Sequence, residues 1–155
     1  YSYTVKKGEY TMVNGDTIKL LKECNAGLKM GVSSIDEVLD KVDDDTLKTI
    51  LTKAKDKHIT LENETYRLLG EYHDEGKEPN PMAKAMSWIK TNFKITNNGS
   101  DSIIADLIVD GCNMGVKSLY KYLNEYQSAE ERVKDIAKRL INIEETLVLD
   151  LREYL

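Results

Sequence analysis

In four separate segments the apolar residues of this chain recur at alternating steps of three and four, the spacing of one continuous stripe along an α-helix. The first stripe is Leu21, Cys24, Leu28, Gly31, Ile35, Val38 and Val42, and the second is Leu47, Leu51, Ala54, His58, Leu61, Thr65, Leu68 and Tyr72. The third runs through Ile108, Cys112, Gly115, Leu119, Tyr122 and Tyr126, the fourth through Val133, Ile136, Leu140, Ile143, Leu147 and Leu151. A repeat of about seven residues is the seam of a helical bundle, where each helix buries one stripe against its neighbours. With 155 residues, nine Gly and two Pro, the chain predicts one all-α domain around a single sizeable core.

Punctuation between the stripes gives the connections. Asp16 is placed to cap the first helix, and Asp43-Asp44-Asp45 ends it and caps the second, since carboxylates favour a helix N-terminus. Gly76, Pro79 and Pro81 stop the second helix and open a long connection to Ser100. That connection predicts a short amphipathic helix, capped by Asn80, with Pro81 at its first position and Met82, Met86, Ile89 and Phe93 on one face. Ser128 and Glu131 have the spacing of a capping box for the fourth helix. Residues 1–13 stand apart from the bundle at 14–155. Their β-prone runs around Lys6-Lys7-Gly8-Glu9 read as a hairpin. A second reading is that residues 1–11 are translated upstream sequence, because Gly8-Glu9 can be encoded by a ribosome-binding site just before Met12.

An internal repeat sharpens the topology. Gly27-Leu28-Lys29-Met30-Gly31-Val32-Ser33-Ser34-Ile35 matches Gly111-Cys112-Asn113-Met114-Gly115-Val116-Lys117-Ser118-Leu119 at an offset of 111 − 27 = 84. The chain thus reads as two related helical hairpins joined by a crossover, in up-down-down-up order, with helices one and three antiparallel. Gly inside a helix costs about 1 kcal/mol relative to Ala, so Gly27, Gly31, Gly111 and Gly115 require a reason. Two accounts fit: close approach of the two backbones, or room for a ligand or metal cluster.

A duplicated hairpin with one long crossover is the arrangement of ferritin-like bundles. From about Thr17 to Tyr154 the sequence resembles an uncharacterised bacterial branch of that superfamily, which also holds the rubrerythrin- and ferritin-type proteins. The resemblance is carried by Gly76-Lys77-Glu78-Pro79 with Met86-Ser87-Trp88-Ile89-Lys90, and by Asp110-Gly111 ahead of Leu119-Tyr120-Lys121. It implies the fold; the branch has no established activity. Active members hold two metals with one Glu from each of two helices and Glu-x-x-His from each of the others. Here that pattern is missing: helix two has His58 and Glu62 in His-x-x-x-Glu order, and helix four has Leu147 and Val148 where a histidine would fall.

His58 is the candidate that chemistry singles out, a titratable group on an apolar seam. One reading makes it a metal ligand with Glu62, Asp110 and Glu144, a degenerate site able to hold iron or another divalent metal. The other makes it a buried neutral imidazole hydrogen-bonded to a carboxylate such as Glu144 or Asp110. Cys24 and Cys112 lie on seams and read as small hydrophobes, and Met30 and Met114 as core fillers. The remaining chemistry is sparse. No phosphate loop, nucleophile elbow or paired-Cys zinc pattern occurs.

These observations lead to an expected function. A net charge of −5 without a basic block argues against nucleic acid, and no apolar run approaches a membrane span or a signal peptide. Two Cys cannot form a disulfide framework, which places the chain in the reducing cytoplasm. The expectation is a non-catalytic module that self-associates as a homo-oligomer, a dimer, or binds a protein partner, without cofactor and tolerant of His58→Leu. The alternative is iron binding or oxidation at the degenerate site. A third reading is a small-ligand pocket at the four glycines.

Overall fold

The computed structural model describes residues 2–6, 9–13, 15–74 and 100–155. Four long helices form the bundle: α1 (Gly15–Leu39), α2 (Asp45–Glu71), α3 (Asp101–Glu125) and α4 (Glu131–Leu151), followed by a 3-10 turn at Arg152–Tyr154. Strand β1 (Ser2–Lys6) pairs antiparallel with β2 (Glu9–Val13), with Ser2 opposite Val13. The amphipathic helix expected around Pro81, with Trp88 beside it, lies outside the described residues.

Hydrogen bonds at the two ends fix the directions of the helices. Both carboxylate oxygens of Asp101, at the start of α3, accept the backbone N–H groups of Asp43 and Asp44, each at 2.9 Å. The beginning of α3 therefore sits beside the beginning of α2. At the opposite end Thr17 Oγ1 accepts from the Glu130 N–H, and Tyr72 Oη donates to Glu130. The start of α1, the end of α2 and the start of α4 meet there. Helices α2 and α3 run parallel, α1 and α3 antiparallel, which is the up-down-down-up order.

The ends of the helices differ in detail from expectation. Asp16 lies in the first turn of α1 and accepts from the Ser128 N–H. The capping box of Ser128 and Glu131 does not form. Helix α4 begins at Glu131 behind Glu130, with no side-chain cap, and its approach is held by α1 through Asp16 and Thr17. Helix α2 stops at Glu71, short of Gly76, because His73 turns left-handed at φ 54°. The His73 and Asp74 N–H groups then close onto the carbonyls of Gly70 and Leu69, a Schellman ending with His where Gly is usual.

The seams bury as their spacing requires, and they do so in two clusters. One gathers Leu20, Leu21, Leu28, Leu69, Ile136 and Leu140. The other gathers Val38, Leu47, Leu51, Ile104, Leu147 and Leu151. On α2 and α4 the residues between these clusters are His58 and Glu144, both buried. Tyrosines behave as amphipathic edges: Tyr72 is buried with its hydroxyl on Glu130, while Tyr154 reaches Asp44. Among the described residues no helix is long and apolar enough to cross a membrane.

Candidate functional site

His58 is 1% exposed and Glu144 9%, in the middle of an apolar bundle. His58 Nε2 stands 2.8 Å from Glu144 Oε1, and Nδ1 stands 2.6 Å from the Ala54 carbonyl oxygen one turn back on α2. A carbonyl and a carboxylate both accept, so two ring N–H groups are needed to satisfy both contacts. Burial opposes charge on the ring. The Glu144 hydrogen bond and charge, the Ala54 carbonyl and the Glu62 charge outweigh it and raise the pKa above its ordinary value. Both contacts and the raised pKa favour the protonated imidazolium, where the sequence suggested a neutral ring.

The other expected ligands do not join this pair. Asp110 is exposed on α3, off the Ile108–Cys112 stripe. Glu62 is half-buried one turn from His58, and burial raises its pKa against the opposing charges of Lys29 and His58. Among the described residues no three His, Cys, Asp or Glu side chains gather as a metal site would require. Both nitrogens of His58 are already committed to oxygen acceptors. The donor set does not fit the di-metal centre of active ferritin-like proteins. The two cysteines rest as thiols: burial, reinforced by Glu23, pushes Cys24 up to about 12, and burial with the Glu144 charge pushes Cys112 up as well.

Space for the imidazole comes from Gly31. A Cβ built on Gly31 would lie 2.7 Å from His58 Cδ2 and 2.9 Å from Nε2, inside van der Waals contact. On α3 a Cβ at Gly115 would meet Glu144 Oε2 at 3.7 Å, and on α1 one at Gly27 would meet only Leu140, at 3.9 Å. Neither position has a described atom of the facing helix within 4 Å. Close backbone approach of α1 and α3 is therefore not what Gly27 and Gly115 provide. Between the two helices lies a cavity of about 280 Å³ instead, lined by Gly27, Gly31, Gly111 and Gly115, with His58 and Glu144 also in its wall.

The cavity is long and narrow. Its lining on α1 extends from Glu23 to Ile35, which at 1.5 Å per residue is about 18 Å. The antiparallel α3 contributes Tyr122 near one end and Leu107 near the other. Tyr122 is hydrogen-bonded to Glu23 and stacks on Tyr126, ring centroids 6.3 Å apart. Burial, then the charge of Glu23, pushes the Tyr122 phenol up to about 12, so it remains a neutral donor.

No family model and no curated protein matches this sequence. Among solved structures, the crystal structure of a DUF305 fragment from Deinococcus radiodurans is similar over 92% of this chain and 97% of that one, with a TM-score of 0.73. The shared feature is the four-helix fold. At 9% identity the likeness is one of architecture, and the site must be read from its own residues.

The sequence named both partners of the central pair, His58 from its seam position and Glu144 as a carboxylate across from it on the fourth helix. It missed Glu23 and Tyr122. Glu23 lies outside the stripe of α1, and Tyr122 reads as one more seam residue; only the separation of α1 from α3 shows that both face a cavity.

Proposed function

We propose that this chain is a non-catalytic binding module on a ferritin-like frame, and that its site is the cavity between α1 and α3. The cavity itself carries the reading. Its volume of about 280 Å³ is roughly twice the ~150 Å³ that admits a benzene ring in an engineered apolar cavity. A molecule of roughly ten to twelve non-hydrogen atoms fits by that scaling. Among the described residues the lining is mostly apolar, with helix glycines whose added Cβ atoms at Gly27 and Gly115 would project into room rather than into a neighbouring backbone. The His58–Glu144 pair supplies a polar wall, and the Cys112 thiol beside Glu144 is held protonated by burial and by the Glu144 charge.

The test uses 1-octanol as a probe, titrated into the protein and followed by amide NMR shifts. Saturable one-to-one binding that moves the Gly27, Gly31, Gly111 and Gly115 signals is expected. Gly27→Leu, which places a side chain in the cavity, should abolish it while thermal unfolding remains cooperative. Shifts scattered over the surface, or equal binding by Gly27→Leu, would overturn the reading.

A further inference from the structure

We infer that the cavity takes a secondary alcohol, a neutral apolar molecule whose hydroxyl, carried within its hydrocarbon body, donates to Glu144 Oε2. This inference rests on the cavity reading above and adds the polar group of the ligand. Three observations carry it.

The first is the second oxygen of Glu144. Oε1 accepts from His58 Nε2 at 2.8 Å, whereas Oε2 faces α3, 3.7 Å from where a Cβ of Gly115 would stand. Glu144 and Gly115 both line the cavity. The Glu144 side chain keeps 11% of its surface exposed against 1% for His58, so the carboxylate is the more accessible member of the pair. An ionised carboxyl offers about four acceptor sites. Among the described residues His58 takes one and the Cys112 thiol, a weak donor, another. Lone pairs remain for a stronger O–H donor.

The second is the position of that oxygen along the slot. Gly31, whose added Cβ would meet the His58 ring, marks the level of the pair on α1. At 1.5 Å per residue, Gly31 stands about 12 Å from the Glu23 end of the lining and about 6 Å from the Ile35 end. On α4 the lining residues one turn to either side of Glu144 are Leu140 and Leu147. Hydrocarbon therefore continues in both directions from the carboxylate. The matching ligand carries its polar group inside the chain, with a longer arm toward Tyr122 and a shorter one toward Ile35.

The third is the charge at this point. The Glu144 carboxylate is already matched by the His58 imidazolium at 2.8 Å. A hydroxyl supplies a donor without adding charge. An ammonium at the same oxygen would stand beside the imidazolium and lose its water between Leu140 and Leu147. A ketone would present only lone pairs to a carboxylate oxygen, leaving two acceptors face to face.

Three probes with one carbon skeleton separate the donor from the cavity: 4-nonanol, 4-nonanone and 4-aminononane, compared by calorimetric titration at pH 7. At that pH the amine is a cation. The alcohol should bind about tenfold tighter than the ketone, and also tighter than the amine. His58→Leu with Glu144→Met removes the acceptor and keeps the packed volume, so there alcohol and ketone should come within about twofold of each other. Equal affinities for alcohol and ketone in the native chain would overturn the hydroxyl assignment and leave the cavity reading standing. An amine that binds tighter than the alcohol, or a preference for the alcohol that survives in the double variant, would overturn it as well. If none of the three binds, the cavity reading itself fails.

Discussion

Replacing Gly27 and Gly31 with alanine, one at a time, should move stability in opposite directions although the two residues are one turn apart on the same helix. In an open helix position Gly→Ala stabilises by about 0.5–1 kcal/mol through the unfolded chain and helix propensity. Gly27 meets this condition, since its added Cβ would touch only Leu140 Cδ2 at 3.9 Å, an ordinary contact. At Gly31 the same atom would stand 2.7 Å from His58 Cδ2, so the ring must withdraw by roughly 1 Å to reach normal carbon–carbon separation. It is pinned on both sides, by the Ala54 carbonyl and by Glu144. Losing one hydrogen bond to a charged group costs about 1.5–3 kcal/mol, and displacement in a packed core adds about 1 or more. Set against the helical gain, Gly31→Ala should destabilise by about 2 kcal/mol. For a chain of this size each kcal/mol shifts the melting temperature by about 2–4 °C. Thermal and urea unfolding followed by circular dichroism should show Gly27→Ala melting a few degrees above the native chain and Gly31→Ala several degrees below it. Adding His58→Ala should return to Gly31→Ala its helical gain. If Gly31→Ala unfolds with Gly27→Ala, the imidazole does not occupy the space assigned to it.

Three further outcomes follow from the same geometry. His58→Leu should lower unfolding free energy by about 3–5 kcal/mol, because it leaves the Glu144 carboxylate buried and unpaired, whereas His58→Leu with Glu144→Met should be near neutral or more stable; a tolerated single variant would show the pair to be solvated. The raised pKa of His58 gives a stability contribution that is complete below its unfolded value of about 6.5 and is lost as pH rises through the higher folded value. Urea midpoints measured from pH 6 upward should therefore fall for the native chain relative to the double apolar variant, and a relative rise would mean the folded pKa is depressed. At His73, φ 54° is a left-handed conformation costing a non-glycine residue about 1–2 kcal/mol, so His73→Gly should stabilise by about 1 kcal/mol in the same unfolding assay, and no gain would place the strain elsewhere.

Helix existence was legible in the alternating steps of three and four because the property that creates the stripe, burial on one side, is local and periodic. The direction of the helices was legible at one remove, through the length of the crossover and the matching glycine motifs. Exact helix ends were less so. Ser128 and Glu131 have the residue types of a capping box, yet the backbone entering α4 is held by Asp16 and Thr17, more than a hundred residues away in sequence. Likewise the reason for Gly31 lies on α2, in the ring of His58. A glycine reports only that volume is needed, and the identity of what fills the volume is a tertiary fact. The charge of His58 was hidden for a related cause. Its seam position predicts burial, but the protonation state follows from two acceptors on opposite sides of the ring, one of them on α4.

The buried pair also acts as a vernier between helices. Apolar seams with a seven-residue repeat tolerate sliding, since Leu can replace Leu one heptad along. If α4 slid past α2 by one heptad, about 10.5 Å, His58 would face Ala137 or Leu151 in place of Glu144. Its second N–H would then be buried without an acceptor, and Glu144 would be left among hydrocarbon. Asn25 and Thr65, buried and hydrogen-bonded at 2.9 Å, impose the same condition on α1 and α2. Of the many alignments that would bury the leucines, only the native one also pairs both sets of polar groups. Thus two polar contacts give a repetitive core a single axial alignment.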